Sequence, residues 1–251
     1  MTLSIRALEA GRLVGMHKPA ITYMRGWGKT HDSAMIMFVI EGGDAPIVVD
    51  TGPPSDVDQV RRYHGYTLQQ TPDERAPAVL RAAGIDPGRV PVVVNTHLHW
   101  DHCSNDHLFG RAAIYVQRRE LEYASRPLQW HNAAFDHHPD LEPPWRAVGN
   151  QITPVDGEHR IAPGVSLVPL PGHTPGSQGV LVETGGGRYL IAGDCVDTYE
   201  NWAGDAAASH IPSGLFTNLF EYDESFRVIE SLDCQVIPSH DQAVVEQGRF
   251  Q

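Results

Sequence analysis

A β-branched run that ends in a cluster of histidines is the feature that most constrains this chain. Residues 90–96 (Val-Pro-Val-Val-Val-Asn-Thr) are typical of a buried strand, and residues 97–102 (His-Leu-His-Trp-Asp-His) follow directly. Side chains two residues apart in an extended segment point the same way, so His97 and His99 can face one metal ion. The run therefore predicts a strand that delivers ligands to the edge of a sheet.

A turn toward a helix after His99 would let Asp101 and His102 reach a second ion beside the first. Imidazole and carboxylate ligands together suit Zn²⁺, although ligand type leaves Fe, Mn and Co open. A single histidine at a strand end would usually be a surface or core polar residue. Three imidazoles and a carboxylate within six residues favour a metal site instead.

The same arrangement, a predicted strand that ends in a residue able to bind metal, recurs along the chain. Residues 165–170 precede His173, residues 189–193 precede Asp194, and residues 234–239 precede His240. With the first cluster these make five imidazoles and two carboxylates, the complement of a two-metal centre with one shared carboxylate.

A further carboxylate, Asp50, ends the predicted strand over residues 46–50. Such a group can fix the tautomer of a ligand imidazole by accepting its second N–H. A helix cap or turn residue is the alternative, and spacing alone does not separate the two.

Composition bounds the class of protein. The chain has 251 residues, of which 41% are hydrophobic, and this fits a single domain over residues 1–251 with its own core. Its 19 basic and 31 acidic residues give a formal net charge of −12, which argues against a nucleic-acid partner. The N-terminus lacks the pattern of a signal peptide, and no window approaches the roughly 18 apolar residues of a membrane span.

We therefore expect a cytoplasmic protein without a membrane partner, either a monomer or a homodimer. The three cysteines, Cys103, Cys195 and Cys234, cannot all pair and form no Cys-x-x-Cys site, which suits a reducing compartment.

Local patterns predict the remaining elements. Residues 72–84 have an early Pro, acids in the first turn and a terminal Gly, so they predict a helix. Residues 1–31 have no clear period and fit either a loop that lines a pocket mouth or a packed connection. Residues 126–146 are rich in Pro, aromatic and His residues, and we place a pocket-covering insertion near 126–160, with a surface excursion as the alternative. Further strands are predicted over 34–40, 112–116 and 180–183, and further helices over 118–125 and 223–232.

In combination these motifs resemble the metallo-β-lactamase superfamily, whose pattern is HxHxDH, then a His in a Gly-His-Thr context, then Asp, then His. The resemblance covers residues from about 34 to 245. It implies an α/β (α+β) fold, the αβ/βα four-layer sandwich of two mixed β-sheets with outer helices and with metals at one edge. It also implies two Zn²⁺ ions, held by His97, His99 and His173 and by Asp101, His102 and His240, with Asp194 and a hydroxide bridging them.

Within the superfamily, residues 97–102, 116–124, 171–176 and 239–241 are most similar to the N-acyl homoserine lactonases. The implied activity is that of a dinuclear metal-dependent hydrolase acting on ester bonds. In this hypothesis the bridging hydroxide attacks the carbonyl of a small-molecule lactone, one zinc polarises that carbonyl, and Asp101 or Asp194 carries a proton to the ring oxygen.

Other members of the superfamily fit less well. Asp194 stands where the commonest zinc β-lactamases have a cysteine, and this disfavours a β-lactamase. Only residues 241–251 follow His240, whereas the glyoxalase II thioesterases carry a helical domain there. The nucleases of the superfamily would add a domain and a basic surface.

Two positions depart from the lactonases. Ser177 stands where many relatives have a second His. Tyr199 lies five residues past Asp194, farther than the lactonase tyrosine that contacts the substrate carbonyl. As a hypothesis, Tyr199 donates a hydrogen bond to the developing oxyanion.

The substrate stays open at this point. The alternative substrates are another lactone, such as a bicyclic pyridoxolactone, or another ester or thioester. The alternative function is that of a metal-binding module without catalysis. A compact charged substrate would need an Arg or Lys at the pocket wall. An acyl tail would need an apolar groove, for which the candidates are Met24, Trp27, Trp130, Phe135, Trp145 and Phe216.

Overall fold

Two mixed β-sheets packed face to face form the centre of the structure, a computed structural model that describes residues 2–251. The first sheet contains β1 (Ser4–His17), β2 (Thr30–Glu41), β3 (Ile47–Val49), β4 (Thr67–Gln69), β5 (Val92–Val94), β6 (Ala113–Gln117), β7 (Ile152–Val155) and β13 (Arg249–Phe250). The second contains β8 (His159–Ala162), β9 (Val165–Pro169), β10 (Gln178–Thr184), β11 (Gly187–Ile191) and β12 (Gln235–Ile237).

Strand order determines which strand ends meet. The first sheet runs β13-β1-β2-β3-β5-β6-β7, with β4 beside β1, and the strands from β3 to β7 in this order are parallel. The second runs β12-β11-β10-β9-β8, antiparallel except that β12 is parallel to β11. The carboxyl ends of β3, β5 and β6 therefore share one edge of their sheet, and those of β9, β11 and β12 share one edge of the other.

The main core lies between the two sheets. In β2, Ile36, Phe38 and Ile40 point into it, whereas Met37 and Val39 pack on the outer side of the sheet. All five are buried. Burial on both faces explains why this strand is apolar throughout rather than alternating.

Nine α-helices join and cover the sheets within the described residues: α1 (Lys18–Ile21), α2 (Val57–His64), α3 (Ala76–Ala82), α4 (Trp100–Cys103), α5 (Arg118–Ser125), α6 (Pro144–Ala147), α7 (Tyr199–Ala203), α8 (Leu219–Ser231) and α9 (Gln242–Gln247). Leu80 of α3 packs against Val39 and Val93 on the outside of the first sheet. Tyr222 and Phe226 of α8 do the same on the second sheet. The predicted four-layer sandwich with outer helices is confirmed.

The N-terminal region is a strand where the sequence left its structure open. β1 pairs with β2 along its length, but the register shifts between Glu9 and Arg12 and again between Leu13 and Met16. Gly11 lies within the first irregularity with φ +115°. These bulges interrupt the two-residue period, which is why no strand pattern is visible in the sequence.

The helix predicted over residues 72–84 is divided. A 3-10 turn at Pro72–Glu74 is followed by extended Arg75 and then by α3. Pro77 has no amide hydrogen and fits only the first turn of a helix, so the helix begins again at Ala76.

The segment predicted to cover the pocket is partly sheet. Short helical turns occupy Gln129–His131, Ala133–Phe135 and α6, but β7 and β8 are edge strands of the two sheets. The part outside the sheets is therefore 126–151. Across residues 2–251, every helix is too short or too polar to cross a membrane.

Candidate metal centre and active site

Four strand ends bring the seven predicted ligand residues to one place. β5 leads into the 97–102 cluster, and β9, β11 and β12 lead to His173, Asp194 and His240. Their ligand atoms form three overlapping groups, each within 4.8 Å: His97, His99 and His173; His97, His102 and Asp194; Asp101, His102 and His240. Residues far apart in sequence thus converge, as their positions at strand ends predicted.

Asp194 lies between two sets of imidazoles. Its Oδ2 is 3.4 Å from His173 Nε2 and 3.9 Å from His97 Nε2. Its Oδ1 is 3.2 Å from His102 Nε2 and 3.1 Å from His240 Nε2. Each carboxylate oxygen therefore faces a different pair, as a carboxylate shared by two cations would.

Two further relationships complete the groups. His99 Nδ1 lies 3.1 Å from His173 Nε2, so His99 presents Nδ1 rather than Nε2. Asp101 Oδ2 lies 3.7 Å from His102 Nε2 and 3.9 Å from His240 Nε2, on the opposite side of the site from His99.

Asp50 fixes the ring of His102. Its Oδ2 lies 2.8 Å from His102 Nδ1, and because a carboxylate only accepts, Nδ1 carries a proton; when the ring is neutral, Nε2 keeps its lone pair. Asp50 also accepts hydrogen bonds from the backbone and hydroxyl of Thr96, at 2.7 and 2.8 Å. Its φ of +56° turns the chain at the end of β3. Asp50 therefore holds the ring of His102, as one of its two interpretations predicted; that His102 binds a metal stays a prediction.

Backbone carbonyls fix two more rings in the same way. His173 Nδ1 donates to Leu215 O at 2.7 Å, and His240 Nδ1 donates to Ala34 O at 2.8 Å. Both rings therefore present an unprotonated Nε2 to Asp194 when they are neutral.

The chemistry of this donor set fits divalent cations. His97 Nε2 and His102 Nε2 are buried and make no hydrogen bond within the described chain, which is rare for buried polar atoms. Ring nitrogens facing one another and a central carboxylate are the ligand types of zinc sites. A metal pair would therefore satisfy atoms that the protein leaves unpartnered.

The electrostatics divide the predicted ligands. Burial lowers the pKa of His97, His99 and His173, which favours the neutral form of these rings. Burial alone would raise the pKa of Asp194, but the facing imidazoles, His240 foremost, hold it well below its usual range. Burial likewise opposes protonation of His240, yet Asp194 raises the pKa of His240 to about 9.

A buried carboxylate, Glu120, ties the two ligand-bearing loops together. Its Oε1 accepts from the amide of Leu98 at 3.0 Å, and its Oε2 accepts from Thr174 Oγ1 at 2.6 Å and from the amide of Gly176 at 3.1 Å. Ser177, at the position where many relatives have a second His, bonds the amide and hydroxyl of Thr174. The loops on either side of the site are thus held at a fixed separation.

The site opens into a cavity of about 320 Å³. Its wall is largely apolar, and no Lys or Arg of the described chain contributes to it. Besides metal-ligand residues the lining includes Leu13, Met16, Ile21, Met35, His64, Tyr66, Trp100, Trp130, His131, Asp197, Leu215 and Phe216.

The residues proposed for an acyl groove divide into two groups. Trp130 and Phe216 line the cavity. Phe135 is buried behind it, with its ring 4.7 Å from that of His99, and Trp145 packs in the same cluster. Met24 and Trp27 are exposed and lie outside the lining.

Tyr199 does not line the cavity. It is half-buried at the start of α7, its backbone amide donates to Asp241, and its side chain packs against the core between the sheets. The hypothesis that Tyr199 contacts the substrate carbonyl therefore receives no support from its position.

Several site residues were missed by the sequence reasoning. His64 and Tyr66 come from the region of α2 and β4, which carries no motif, and Asp197 lies three residues past Asp194. Burial first, and then Asp194, raise the pKa of Asp197 well above its usual range. The sequence signal that existed for Asp197 was its proximity to Asp194.

Fold and site together define a metal-dependent hydrolase. Its histidines and aspartates lie at one edge of a four-layer sandwich, where strand ends of both sheets meet beside a cavity. The sequence profile of the metallo-beta-lactamase superfamily matches residues 37–239, and the chain belongs to this superfamily.

Sequence relatives within the superfamily are N-acyl homoserine lactonases. One from Bacillus sp is 29% identical over 75% of this chain and 74% of its own length. The lactonase AttM of Azorhizobium caulinodans is 31% identical over 81% of this chain and 76% of its own. The lactonase AiiA of Bacillus thuringiensis subsp. kurstaki is 28% identical over 70% and 69%.

Solved structures agree on the fold. An N-acyl homoserine lactone hydrolase with the product N-hexanoyl-L-homoserine at its catalytic metal centre gives a TM-score of 0.80 at 23% identity, covering 98% of this chain and 97% of that one. An AiiA variant from B. thuringiensis with N-decanoyl-L-homoserine at its active site gives 0.77 at 25% identity, covering 98% and 97%.

Proposed function

We propose that this protein is a zinc-dependent lactonase that opens the ring of N-acyl homoserine lactones. The observation that carries the proposal is Asp194, whose two carboxylate oxygens face two separate pairs of imidazoles. The sequence relatives of this chain are N-acyl homoserine lactonases, which supports the same substrate class.

Seven residues would hold the two cations: His97, His99 and His173 on one side, Asp101, His102 and His240 on the other, and Asp194 shared between them. Two such cations supply Lewis-acid activation of water and polarisation of an ester carbonyl.

The protein's own groups prepare this chemistry. Asp50, Leu215 O and Ala34 O hold the ligand imidazoles in one tautomer. Asp101 is partly exposed and lines the cavity, so its carboxylate can carry a proton to the oxygen of the opening ring. Asp194 has a depressed pKa and stays ionised, which suits a bridging role better than proton transfer.

The cavity wall favours an uncharged substrate with an apolar tail. Leu13, Met16 and Met35 contribute apolar surface to the cavity lining, and Trp130, which also lines it, is 70% exposed. A compact anionic lactone would need a cationic side chain, and the described residues place no Lys or Arg in the lining. An acyl chain that leaves the lactone ring along this wall would bury apolar surface.

The test is a lactone panel on zinc-loaded protein: homoserine lactones with acyl chains of increasing length, a bicyclic lactone that carries a carboxylate, and a simple aryl ester. We expect kcat/KM to rise with acyl length and to be lowest for the anionic lactone. Failure to open any lactone, or a preference for the anionic one, would contradict the proposal.

A variant of Asp101, which is also one of the proposed metal ligands, tests the proton transfer. Asp101→Asn should lower kcat by a factor on the order of 10²–10⁴, the usual worth of a positioned acid or base, while zinc content is measured in parallel. Asp44→Asn changes an exposed carboxylate remote from the site and serves as the matched control. Full turnover in Asp101→Asn would remove Asp101 from the mechanism.

A further inference from the structure

A buried histidine and aspartate face each other at the cavity wall, outside the ligand set. His64 Nε2 lies 3.1 Å from Asp136 Oδ1, and both side chains are 1% exposed. His64 lines the cavity, whereas Asp136 lies behind it. Neither residue belongs to the groups that would hold the metal ions.

The ring of His64 has two close neighbours. It stacks on Trp100, with centroids 4.3 Å apart and planes inclined by 15°. Asp136 Oδ1 faces its Nε2 edge from within the irregular segment 126–151, at a left-handed backbone position with φ +55°. Such positions are unfavourable for residues other than Gly and persist where surrounding contacts hold them.

His64 also has hydrogen-bonding capacity that the described protein atoms do not use. Its Nδ1 is buried and has no hydrogen-bond partner among residues 2–251, and Nε2, although close to Asp136, does not meet hydrogen-bond geometry either. Buried polar atoms are nearly always partnered, so a group inside the cavity is the natural partner for Nδ1. The surrounding wall, with Leu13, Met16 and Met35, is apolar.

We propose that His64 determines specificity by hydrogen bonding the acyl amide of the substrate through Nδ1, with the carboxylate of Asp136 beside Nε2. The inference rests on the proposed lactonase function. The lactone carbonyl and ring oxygen belong at the metal ligands, and Trp100, on which His64 stacks, lies between His99 and Asp101 in sequence. The amide is the polar group next to the ring. Because the carboxylate of Asp136 faces Nε2, the proton of a neutral His64 ring belongs on Nε2, and Nδ1 can accept the N–H of the amide.

A purely structural pair would behave differently. In that case His64 and Asp136 would only join α2 to segment 126–151, and their loss would affect every substrate equally. A specificity role predicts that the effect depends on whether the substrate has an amide.

The experiment compares N-octanoyl homoserine lactone with a γ-alkyl lactone that has a tail of similar length but no amide. His64→Phe keeps an aromatic ring against Trp100 and removes the hydrogen bond. We expect its KM for the homoserine lactone to rise about tenfold, the usual worth of one hydrogen bond, with little change for the alkyl lactone. Asp136→Asn should change selectivity in the same direction by a smaller factor.

Two further variants keep the result interpretable. His64→Gln retains a side-chain amide and should restore part of the selectivity. Tyr63→Phe, on the neighbouring residue outside the cavity lining, should behave as wild type. Zinc content and thermal midpoint are measured for all variants.

Equal losses on both lactones, or unchanged selectivity in His64→Phe, would overturn the role of His64 while leaving the lactonase proposal intact. Absence of any lactone opening by the wild-type protein would overturn the proposed function itself, and with it this inference.

Discussion

Glu120 Oε2 lies 2.6 Å from Thr174 Oγ1, and this bond joins helix α5 to the loop that carries His173. The three donors to Glu120 are two backbone amides and a hydroxyl, from loops on both sides of the site. In Glu120→Gln, an NH₂ group would replace one acceptor and face a donor. We expect zinc affinity or kcat/KM to fall about 10–100-fold, the usual cost of losing support around a metal site.

The matched control for Glu120 is Glu122→Gln, an exposed position on the same helix that should leave both quantities unchanged. Zinc titration and lactone kinetics on the two variants make the comparison. Equal zinc affinity and equal kcat/KM in the two variants would show that the loops keep their separation without Glu120.

Replacing Asp50 with Asn should weaken one cation position more than the other. An Asn side chain has one accepting oxygen and one donating NH₂ group. When the NH₂ group takes the place of Oδ2, it donates to His102 Nδ1, and the ring proton then moves to Nε2, the atom that faces Asp194. Asn tolerates the positive φ of this position, so the fold should persist. After dialysis, zinc analysis should find less than two equivalents; two retained equivalents would argue against the role of Asp50.

Asp106 should make the stability of the metal-free protein depend on pH. Burial raises its pKa to about 7, against the hydrogen bonds from Asn95 and Thr51. An acid with a raised pKa contributes stability that is complete below its unfolded pKa of about 4 and is lost as the pH rises from there through 7. Each pH unit in this window costs about 1.4 kcal/mol, so the free energy of unfolding falls by a few kcal/mol in all.

Asp106→Asn removes this titration. The amide of the new side chain can donate to Thr51 Oγ1, whose hydroxyl then donates to His102 O. Urea unfolding of both proteins at pH 5 and pH 8 is the measurement. The variant should gain stability relative to wild type at pH 8. An equal difference in the free energy of unfolding at both pH values would exclude Asp106 as the source of the pH dependence.

Zinc should stabilise the fold by binding to residues that only the native chain brings together. At a free zinc concentration of 100 times Kd the gain is about 2.7 kcal/mol for each bound ion, which corresponds to roughly 5–10 °C in Tm per ion for a domain of this size. A chelator should reverse the shift. His173→Ala should lose most of it, whereas His107→Ala, at an exposed position outside the ligand groups, should keep it. Equal shifts in the two variants would contradict the assignment of His173.

The convergence of the predicted ligand residues could be anticipated because each follows a strand that the sequence marks clearly. His97, His173, Asp194 and His240 come directly after apolar runs, and the topology of the sheets brings those ends together. Asp50 was visible for the same reason, although only the structure distinguishes its contact with His102 from a turn or cap.

Other features leave no local trace in a sequence. β1 was missed because its bulges remove the strand period. Glu120 lies in a charged run that predicts an exposed helix, and its burial depends on backbone amides of two distant loops. His64 and Asp136 meet across a long sequence separation, and neither belongs to a motif. For Tyr199, distance along the chain did not reveal that α7 turns the side chain toward the core.

Close backbone approaches in the ligand loops limit how this site can change. A Cβ at Gly172 would lie 2.6 Å from Tyr222 Cα, one at Gly176 would lie 2.1 Å from the amide nitrogen of Glu120, and one at Gly193 would lie 2.8 Å from Thr96 Cβ. No side chain fits at these positions without moving main chain or a packed residue. Evolution or a protein engineer can therefore alter the wall residues that select a substrate, while these glycines hold the reactive framework constant.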